Sequence, residues 1–277
     1  MKHDLYPMMI KIIGAIAILA TPVAAQETST QMGLKNIEVI QGWHTENGTY
    51  MAAVHFALED GWKTYWRAPG GSGIPPSFDW AGSENLSTVT FHWPSPKLYI
   101  QNGINTLGYK DDFILPIEIK PSVHGKPVRI KSQIDYGLCN DVCIPANSTI
   151  EAILTDGNPL GHALIKTALA AGPRAAKDSG VQSVSCKIEP IKDGLNIAAN
   201  ITFKNTAPDI DLTVIELAAP DIWIVQTDLK RTENVVMAQA ELMSFSDTPF
   251  ILDQNKLRIT LIGDAQTIEI NGCLGTD

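Results

Sequence analysis

Residues 128–145 read VRIKSQIDYGLCNDVCIP. The first half is strand-like, because one phase of alternate positions is mainly apolar: Val128, Ile130, Ile134 and Tyr136, with Ser132 as the polar exception. The second half holds Cys139 and Cys143, separated by three residues. On an extended strand, residues at this spacing lie ~13 Å apart, whereas the Cα atoms of a disulfide lie within ~7 Å of each other. If these cysteines bond, the chain therefore folds back between them.

A disulfide between Cys139 and Cys143 would stabilise the fold only weakly. It closes a five-residue loop, and loop entropy gives such a bond only about 2 kcal/mol. Thiol–disulfide exchange, by contrast, needs two thiols within reach of each other, one of them accessible to a partner sulfur. The spacing therefore favours a reactive pair. No lysine or arginine lies between Lys131 and Lys166, and Asp141 would disfavour a thiolate if it lay close.

Alternation of apolar and polar residues continues on both sides of this stretch. It is clearest in residues 51–58, 89–93, 113–119 and 150–154, and turn signals such as Asn47-Gly48 and Asp60-Gly61 separate the runs. A period of two indicates strands with one buried face and one solvated face. Several short strands punctuated in this way predict an antiparallel β-sandwich over residues 30–156.

A different pattern follows this first unit. Leucine and isoleucine recur at helical spacing from Leu160 to Leu169, and Gly172-Pro173 ends the run. We therefore predict a short helix within a linker at residues 157–177. Alternation resumes after it and predicts a second β-sandwich domain at residues 178–277. The predicted fold class is all-β, with two antiparallel β-sandwich domains joined by a short helix.

Two further cysteines lie near the ends of the second unit. Cys186 opens its first predicted strand, and Cys273 ends its last. First and last strands are often neighbours, so a Cys186–Cys273 bond is plausible and would act as a structural brace over a long loop. Pairing of either cysteine with Cys139 or Cys143 stays open at the level of sequence.

The first 25 residues have the pattern of a cleavable secretory signal. Lys2 and Lys11 precede an apolar run, and Val23-Ala24-Ala25 offers small residues before a cleavage point. The run is too short for a standard membrane span, although an uncleaved anchor is the alternative. The formal net charge of −9 disfavours nucleic acid and anionic lipid as partners. We expect an exported protein without stable membrane insertion, in a compartment where disulfides persist.

Several motifs together resemble a known family. They are GWKTYWRAPG at 61–70, GIPPSFDW at 73–80, WPSP at 93–96, GYKD at 108–111 and YGLC at 136–139, the last followed by Cys143-Ile144-Pro145. In this order they resemble the N-terminal periplasmic domain of DsbD-type thiol:disulfide interchange proteins, and most closely the ScsB-like branch. The resemblance is strong over residues 35–155 and weaker beyond residue 178.

The resemblance implies an immunoglobulin-like sandwich with a redox-active cysteine pair. By position, Cys143 matches the cysteine that forms mixed disulfides with partners, and Cys139 matches the resolving one. Tyr99 and Ile100 correspond to part of a loop that caps the pair. The implied function is a periplasmic protein thiol–disulfide oxidoreductase without a cofactor. Its partners would be thioredoxin-like periplasmic oxidoreductases and a membrane electron donor, since the sequence has no counterpart of the family's membrane and thioredoxin-like domains.

Two other functions remain open. The Cys139–Cys143 bond could pin a loop in a non-catalytic periplasmic binding module. Alternatively, the two thiolates could bind Cu(I), which prefers soft ligands. A zinc site is not expected, because the sequence lacks a clustered set of four ligands. The reduction potential of the pair separates a relay from a pinned loop, because structural disulfides resist reduction by glutathione.

Overall fold

The computed structural model describes residues 31–71, 73–101, 103–217, 222–244 and 252–273. Residues 1–25, for which the sequence predicts a signal peptide, lie outside these ranges. Within them the chain is mainly β-structure, with one α-helix between two sets of strands. The predicted all-β, immunoglobulin-like fold class is confirmed.

The strands up to residue 153 form two sheets. They are β1 (Leu34–His44), β2 (Tyr50–Leu58), β3 (Lys63–Tyr65), β4 (Ser77–Asp79), β5 (Leu86–Phe91), β6 (Lys97–Gln101), β7 (Ile104–Lys110), β8 (Asp112–Pro121), β9 (Arg129–Cys139) and β10 (Cys143–Ile153). One sheet has the order β1-β2-β8-β5; the other has the order β10-β9-β3-β7-β6, with β4 also pairing with β9. All of these pairings are antiparallel.

The two sheets pack face to face over an apolar core. Val54 and Phe56 contribute to it from β2, and Ile134 and Tyr136 contribute from β9. The alternation seen in the sequence therefore corresponds to the buried face of each sheet. Ser132, the polar exception on β9, is also buried, and its hydroxyl donates to the Gln133 carbonyl.

Helix α1 spans Pro159–Ala170. It begins at Asn158, whose side chain accepts a hydrogen bond from the Gly161 amide, and Pro159 occupies the first turn, where its missing amide hydrogen costs nothing. Ile165 is buried with Met51 and Ala53, so the helix covers the outer face of the β1-β2-β8 part of the first sheet. Its other apolar face is more open, since Leu160 is exposed.

The strands after the helix also form two sheets. They are β11 (Arg174–Ala175), β12 (Val181–Ile191), β13 (Gly194–Phe203), β14 (Leu212–Leu217), β15 (Ile222–Arg231), β16 (Val235–Ser244), β17 (Leu257–Ile262) and β18 (Thr267–Asn271). Short 3₁₀ helices lie at Ala176–Asp178 and Gln254–Lys256. The sheet orders are β11-β18-β17-β14 and β12-β13-β16-β15, and the two-residue strand β11 pairs in parallel with β18.

This second sandwich has its own core, to which Ile197 and Ile201 contribute from one sheet and Ile259 from the other. The two sandwiches also touch, because Val214 and Ile262 are buried among residues of the first core. All of these contacts lie within the single unit that begins at Gln31. The division into two independently folding domains stays a prediction.

Candidate functional site

The cysteine pair lies at the tip of the β9–β10 hairpin. Cys139 is the last residue of β9, Cys143 is the first of β10, and the two are cross-strand partners. Their Cα atoms are 4.0 Å apart, and a disulfide joins their sulfur atoms. The three residues between them form the turn, in which the Asn140 amide donates to the Val142 carbonyl at 3.3 Å. The hairpin thus provides the fold-back that a bond at this spacing requires.

The two cysteines differ sharply in their exposure. Cys139 is only 5% exposed, whereas Cys143 lies on the surface beside Val142, which is 68% exposed. In disulfide exchange the incoming thiolate must approach the sulfur that it attacks. The burial pattern therefore makes Cys143 the accessible sulfur of the pair and leaves Cys139 behind it.

A tyrosine hydroxyl contacts the accessible sulfur. The Tyr65 hydroxyl donates to Cys143 Sγ across an Oη–Sγ distance of 3.0 Å. Tyr65 is buried, and this burial raises the pKa of its phenol, so the hydroxyl keeps its proton at neutral pH. A hydrogen bond of this kind favours a charged sulfur over a neutral one. Tyr65 is therefore placed to stabilise a Cys143 thiolate.

The position of the Tyr65 ring depends on a glycine in β9. A Cβ atom added at Gly137 would lie 2.6 Å from Cε2 of the Tyr65 ring, closer than real contacts allow. Gly137 therefore leaves the space that the ring occupies. The main chain here is also fixed from β3, because the buried Thr64 hydroxyl donates to the Gly137 carbonyl at 3.0 Å.

A lysine is paired with the buried cysteine across two strands. Lys63 is the cross-strand partner of Cys139 in the β3–β9 ladder. Its Nζ lies 5.1 Å from the centroid of the Tyr99 ring, an arrangement that fits a cation–π contact. A positive charge beside a cysteine favours the thiolate, whereas the carboxylate of Asp141 acts in the opposite direction. The cation that the local sequence around the pair did not supply thus comes from β3.

These groups share one cavity of ≈ 190 Å³ at the hairpin tip. Its walls come from β3, from the β6–β7 hairpin and from the β9–β10 tip; the lining residues are Lys63, Thr64, Tyr65, Tyr99, Ile104, Thr106, Leu107, Gly108, Cys139, Asp141 and Cys143. Of the two predicted cap residues, Tyr99 lines this cavity. Ile100 is largely exposed and is not among the lining residues, whereas Ile104 on the facing strand is.

The second cysteine pair has different surroundings. Cys186 lies in β12, Cys273 follows β18, and a disulfide joins them with a Cα–Cα distance of 5.7 Å. The two strands belong to different sheets, so the bond ties one sheet of the second sandwich to the other. Cys273 is fully buried and Cys186 is half-buried, so a partner protein has little access to this bond.

Sequence reasoning missed the functional position of two residues. It connected neither Tyr65 nor Lys63 to the cysteine pair. Trp66 is buried in the core, whereas Tyr65, although buried, ends at the Cys143 sulfur. Both residues belong to the GWKTYWRAPG motif, which contributes to the family resemblance. The alternation of apolar and polar residues does not link this motif to the cysteines.

Two further observations on the described residues concern metal ligands and membrane-spanning helices. No group of three or more histidine, cysteine, aspartate or glutamate side chains in that part of the chain is arranged to hold a metal ion. Within the same residues, no helix has both the length and the apolar character that crossing a bilayer requires.

Comparison with known proteins agrees with this geometry. Residues 34–155 match the family described as "Thiol:disulfide interchange protein DsbD, N-terminal". This segment is a DsbD N-terminal domain. It covers every strand from β1 to β10, and it contains both Cys139 and Cys143. The resemblance inferred from the sequence motifs is thereby confirmed.

A solved structure extends the comparison past the DsbD N-terminal domain. The N-terminal periplasmic domain of ScsB from Proteus mirabilis matches with a TM-score of 0.61 at 21% sequence identity, covering 84% of this chain and 90% of that chain. At this level of identity the similarity concerns the fold alone. No curated protein gave a match.

Proposed function

We propose that this chain is a periplasmic thiol–disulfide interchange module that relays electrons through Cys139 and Cys143. The observation that carries the proposal is the pairing of an exposed Cys143 with a buried Cys139 at one hairpin tip, with the Tyr65 hydroxyl on the exposed sulfur. Membership of residues 34–155 in the DsbD N-terminal family supports the same chemistry.

The proposed reaction has two steps that balance without a cofactor. A partner thiolate attacks Cys143 Sγ, the Cys139–Cys143 bond breaks, and Cys139 leaves as a thiolate beside Lys63. A second partner thiolate then attacks the partner sulfur of the mixed disulfide and releases Cys143 as a thiolate, which the Tyr65 hydroxyl stabilises. Two electrons pass from the partner dithiol, which becomes a disulfide, to this pair. The reverse sequence reduces a partner disulfide.

The same geometry supports a separate role for each cysteine. In the reducing direction, Cys143 attacks a partner disulfide, and Cys139 resolves the resulting mixed disulfide. We propose that the partners are thioredoxin-like periplasmic oxidoreductases and that a membrane protein supplies electrons, as the family resemblance implies. The predicted signal peptide and the periplasmic origin of the ScsB domain support this location.

Mixed-disulfide formation tests the assignment directly. The probe is a purified thioredoxin-fold oxidoreductase that keeps only its attacking cysteine, activated as a mixed disulfide with thionitrobenzoate. We expect Cys139→Ser to release thionitrobenzoate and to form a stable complex that reductant dissolves. Cys143→Ser keeps only the buried thiol. It should form the complex at least roughly tenfold more slowly than Cys139→Ser, because inaccessible thiols exchange slowly.

The fully reduced wild-type chain serves as the control for resolution. It should form the complex and then release the probe as Cys139 displaces it, since both thiols are present. Failure of both single variants to form a complex would reject the relay and leave a disulfide that pins the hairpin. Faster trapping by Cys143→Ser would exchange the two roles.

A further inference from the structure

The second sandwich contacts the segment that carries Tyr65 through one arginine. Arg67 Nε donates to Glu216 Oε1 at 3.0 Å, and its Nη2 donates to Glu216 Oε2 and to Glu269 Oε2, each at 2.9 Å. The Arg67 side chain is only 13% exposed. A two-pronged arginine–carboxylate pair that is largely removed from water is geometrically demanding and costly to break from one side.

The two carboxylates belong to different strands of one sheet. Glu216 is on β14 and Glu269 is on β18, and these strands flank β17 on opposite sides. Arg258 on β17 adds a second cation, with its Nε 3.8 Å from Glu269 Oε2. Without Arg67, two part-buried carboxylates would share this single, more exposed arginine. The sheet of the second sandwich therefore presents a site that an arginine from the first sandwich completes.

Arg67 lies two residues after Tyr65 and four after Lys63. Trp66, between Tyr65 and Arg67, is fully buried; its amide donates to the Leu107 carbonyl at 2.9 Å, and its ring centroid lies 4.1 Å from the Arg67 guanidinium carbon. Strand β3 itself has only three residues; all three pair with β7, and two of them also pair with β9. Arg67 anchors the chain just beyond this short strand to the second sandwich.

We propose that Arg67 is a positioning residue through which the second sandwich holds Tyr65 on Cys143 and thereby sets the redox equilibrium of the Cys139–Cys143 pair. The inference rests on the proposed function and gives the second sandwich a part in it. Reduction of the pair creates a Cys143 thiol or thiolate, and the Tyr65 hydroxyl stabilises that charged form. Loss of the anchor lets Tyr65 move away, so the equilibrium shifts towards the disulfide.

The central test replaces Glu216 by glutamine in the full chain. The readout is the equilibrium constant of the Cys139–Cys143 pair with dithiothreitol, followed by alkylation and mass analysis of tryptic peptide 132–166, which contains this pair but neither Cys186 nor Cys273. We expect Glu216→Gln to favour the disulfide by roughly threefold or more, the size of effect seen along coupled networks. An equilibrium constant equal to that of the wild type would overturn the proposal.

Glu151→Gln is the matched control. Glu151 accepts from Arg129 Nη1 at 2.7 Å, but this pair joins β10 to β9 within the first sandwich and does not reach the second. Its removal should leave the equilibrium constant unchanged. A shift as large as that of Glu216→Gln would show that any lost ion pair acts this way, and would overturn the specific role of Arg67.

A double-mutant cycle separates positioning from general loosening of the fold. If Arg67 acts through Tyr65, Glu216→Gln should cause no further shift once Tyr65 is replaced by phenylalanine. An additive effect in that background contradicts the proposal. Should Glu216→Gln fail to fold, as judged by near-ultraviolet circular dichroism, Arg67→Lys keeps the charge but loses the two-pronged geometry and is expected to give the same shift.

The dithiothreitol equilibrium is measurable even if no partner exchanges with the chain. Failure of both Cys139→Ser and Cys143→Ser to form a mixed disulfide with the thioredoxin-fold probe would reject the proposed function. Wild-type equilibrium constants in both Glu216→Gln and Arg67→Lys would instead reject the positioning role while leaving the proposed function standing.

Discussion

Tyr65 and Cys143 are 78 positions apart in the chain, and their side chains meet at a single hydrogen bond. The hydroxyl gains importance when the sulfur becomes charged, because hydrogen bonds to charged groups contribute about 1.5–3 kcal/mol, against about 1 kcal/mol for neutral pairs. The difference between these values favours the reduced state of the pair.

Replacing Tyr65 by phenylalanine tests this bond. We expect the pKa of the Cys143 thiol in the reduced protein to rise, so that its alkylation by iodoacetamide near neutral pH slows by roughly threefold to tenfold. At a pH well above the thiol pKa the wild-type and variant rates should converge, because both thiols are then ionised. Tyr50→Phe is the control, since that hydroxyl is remote from the pair in the β1–β2 ladder. Identical pH profiles for wild type and Tyr65→Phe would contradict the assigned role.

Part of this site was predictable from the residues. Cys139 and Cys143 stand four apart, so bonding alone requires a hairpin there, and the hairpin is present. Lys63 and Tyr65 reach the pair only because β3 inserts between β9 and β7. That insertion depends on pairing between segments distant in sequence, which alternation within one strand does not encode. Ile100 was assigned by position in a family loop. It follows Tyr99 directly in β6, so the two side chains lie on opposite faces of the hairpin, and Ile104 on β7 lines the cavity together with Tyr99.

At the scale of elements, the period-two alternation predicted strands such as β2, β8 and β9, whereas it did not single out β1, β15 or β16. The helix was predictable for two reasons. The spacing of apolar residues changes there from alternate positions to helical spacing, and Asn158-Pro159 gives a start signal. The partners of each strand were not predictable in the same way. The parallel pairing of β11 with β18 involves two residues at each strand, too few to leave a pattern in the sequence.

The Cys186–Cys273 disulfide gives a prediction at this scale. We expect Cys273→Ser to lower the free energy of unfolding of the second sandwich by about 2–5 kcal/mol, as for other native disulfides that close long loops. Cys186→Ser should have a similar effect. The double variant should lose no more free energy of unfolding than either single variant, because all three lack the same bond. Urea denaturation measures this when it is followed by hydrogen exchange of peptides from residues 178–273, because five of the six tryptophans lie in the first sandwich and dominate the fluorescence. Peptide mapping that found Cys186 bonded to Cys139 or Cys143 would refute the pairing.

At the scale of the whole molecule, two sandwiches with their own cores meet at Val214, Ile262 and Arg67. Helix α1 packs on the first sandwich, so the exposed connection is the short stretch after it. This arrangement predicts two folding units of which the first includes the helix. Through the contacts between the two units, the second unit can affect the position of side chains in the first.

Limited trypsin digestion tests the two-domain prediction. We expect early cleavage at the exposed Arg174 and Lys177, giving one protected fragment that ends after α1 and another that begins near β12. Mass analysis under denaturing conditions identifies both, even if they remain associated. A single resistant core that spans residues 171–180 would argue against two independently folding domains.

The equilibrium of the Cys139–Cys143 pair with glutathione tests whether this chain can relay electrons. The full wild-type chain is incubated in buffers of graded glutathione redox ratio, quenched by alkylation, and read from tryptic peptide 132–166. We expect the Cys139–Cys143 pair to become reduced at a potential above about −300 mV, within the range that glutathione buffers reach, while Cys186–Cys273 stays oxidised. A Cys139–Cys143 bond that resists glutathione as fully as Cys186–Cys273 would contradict an electron relay.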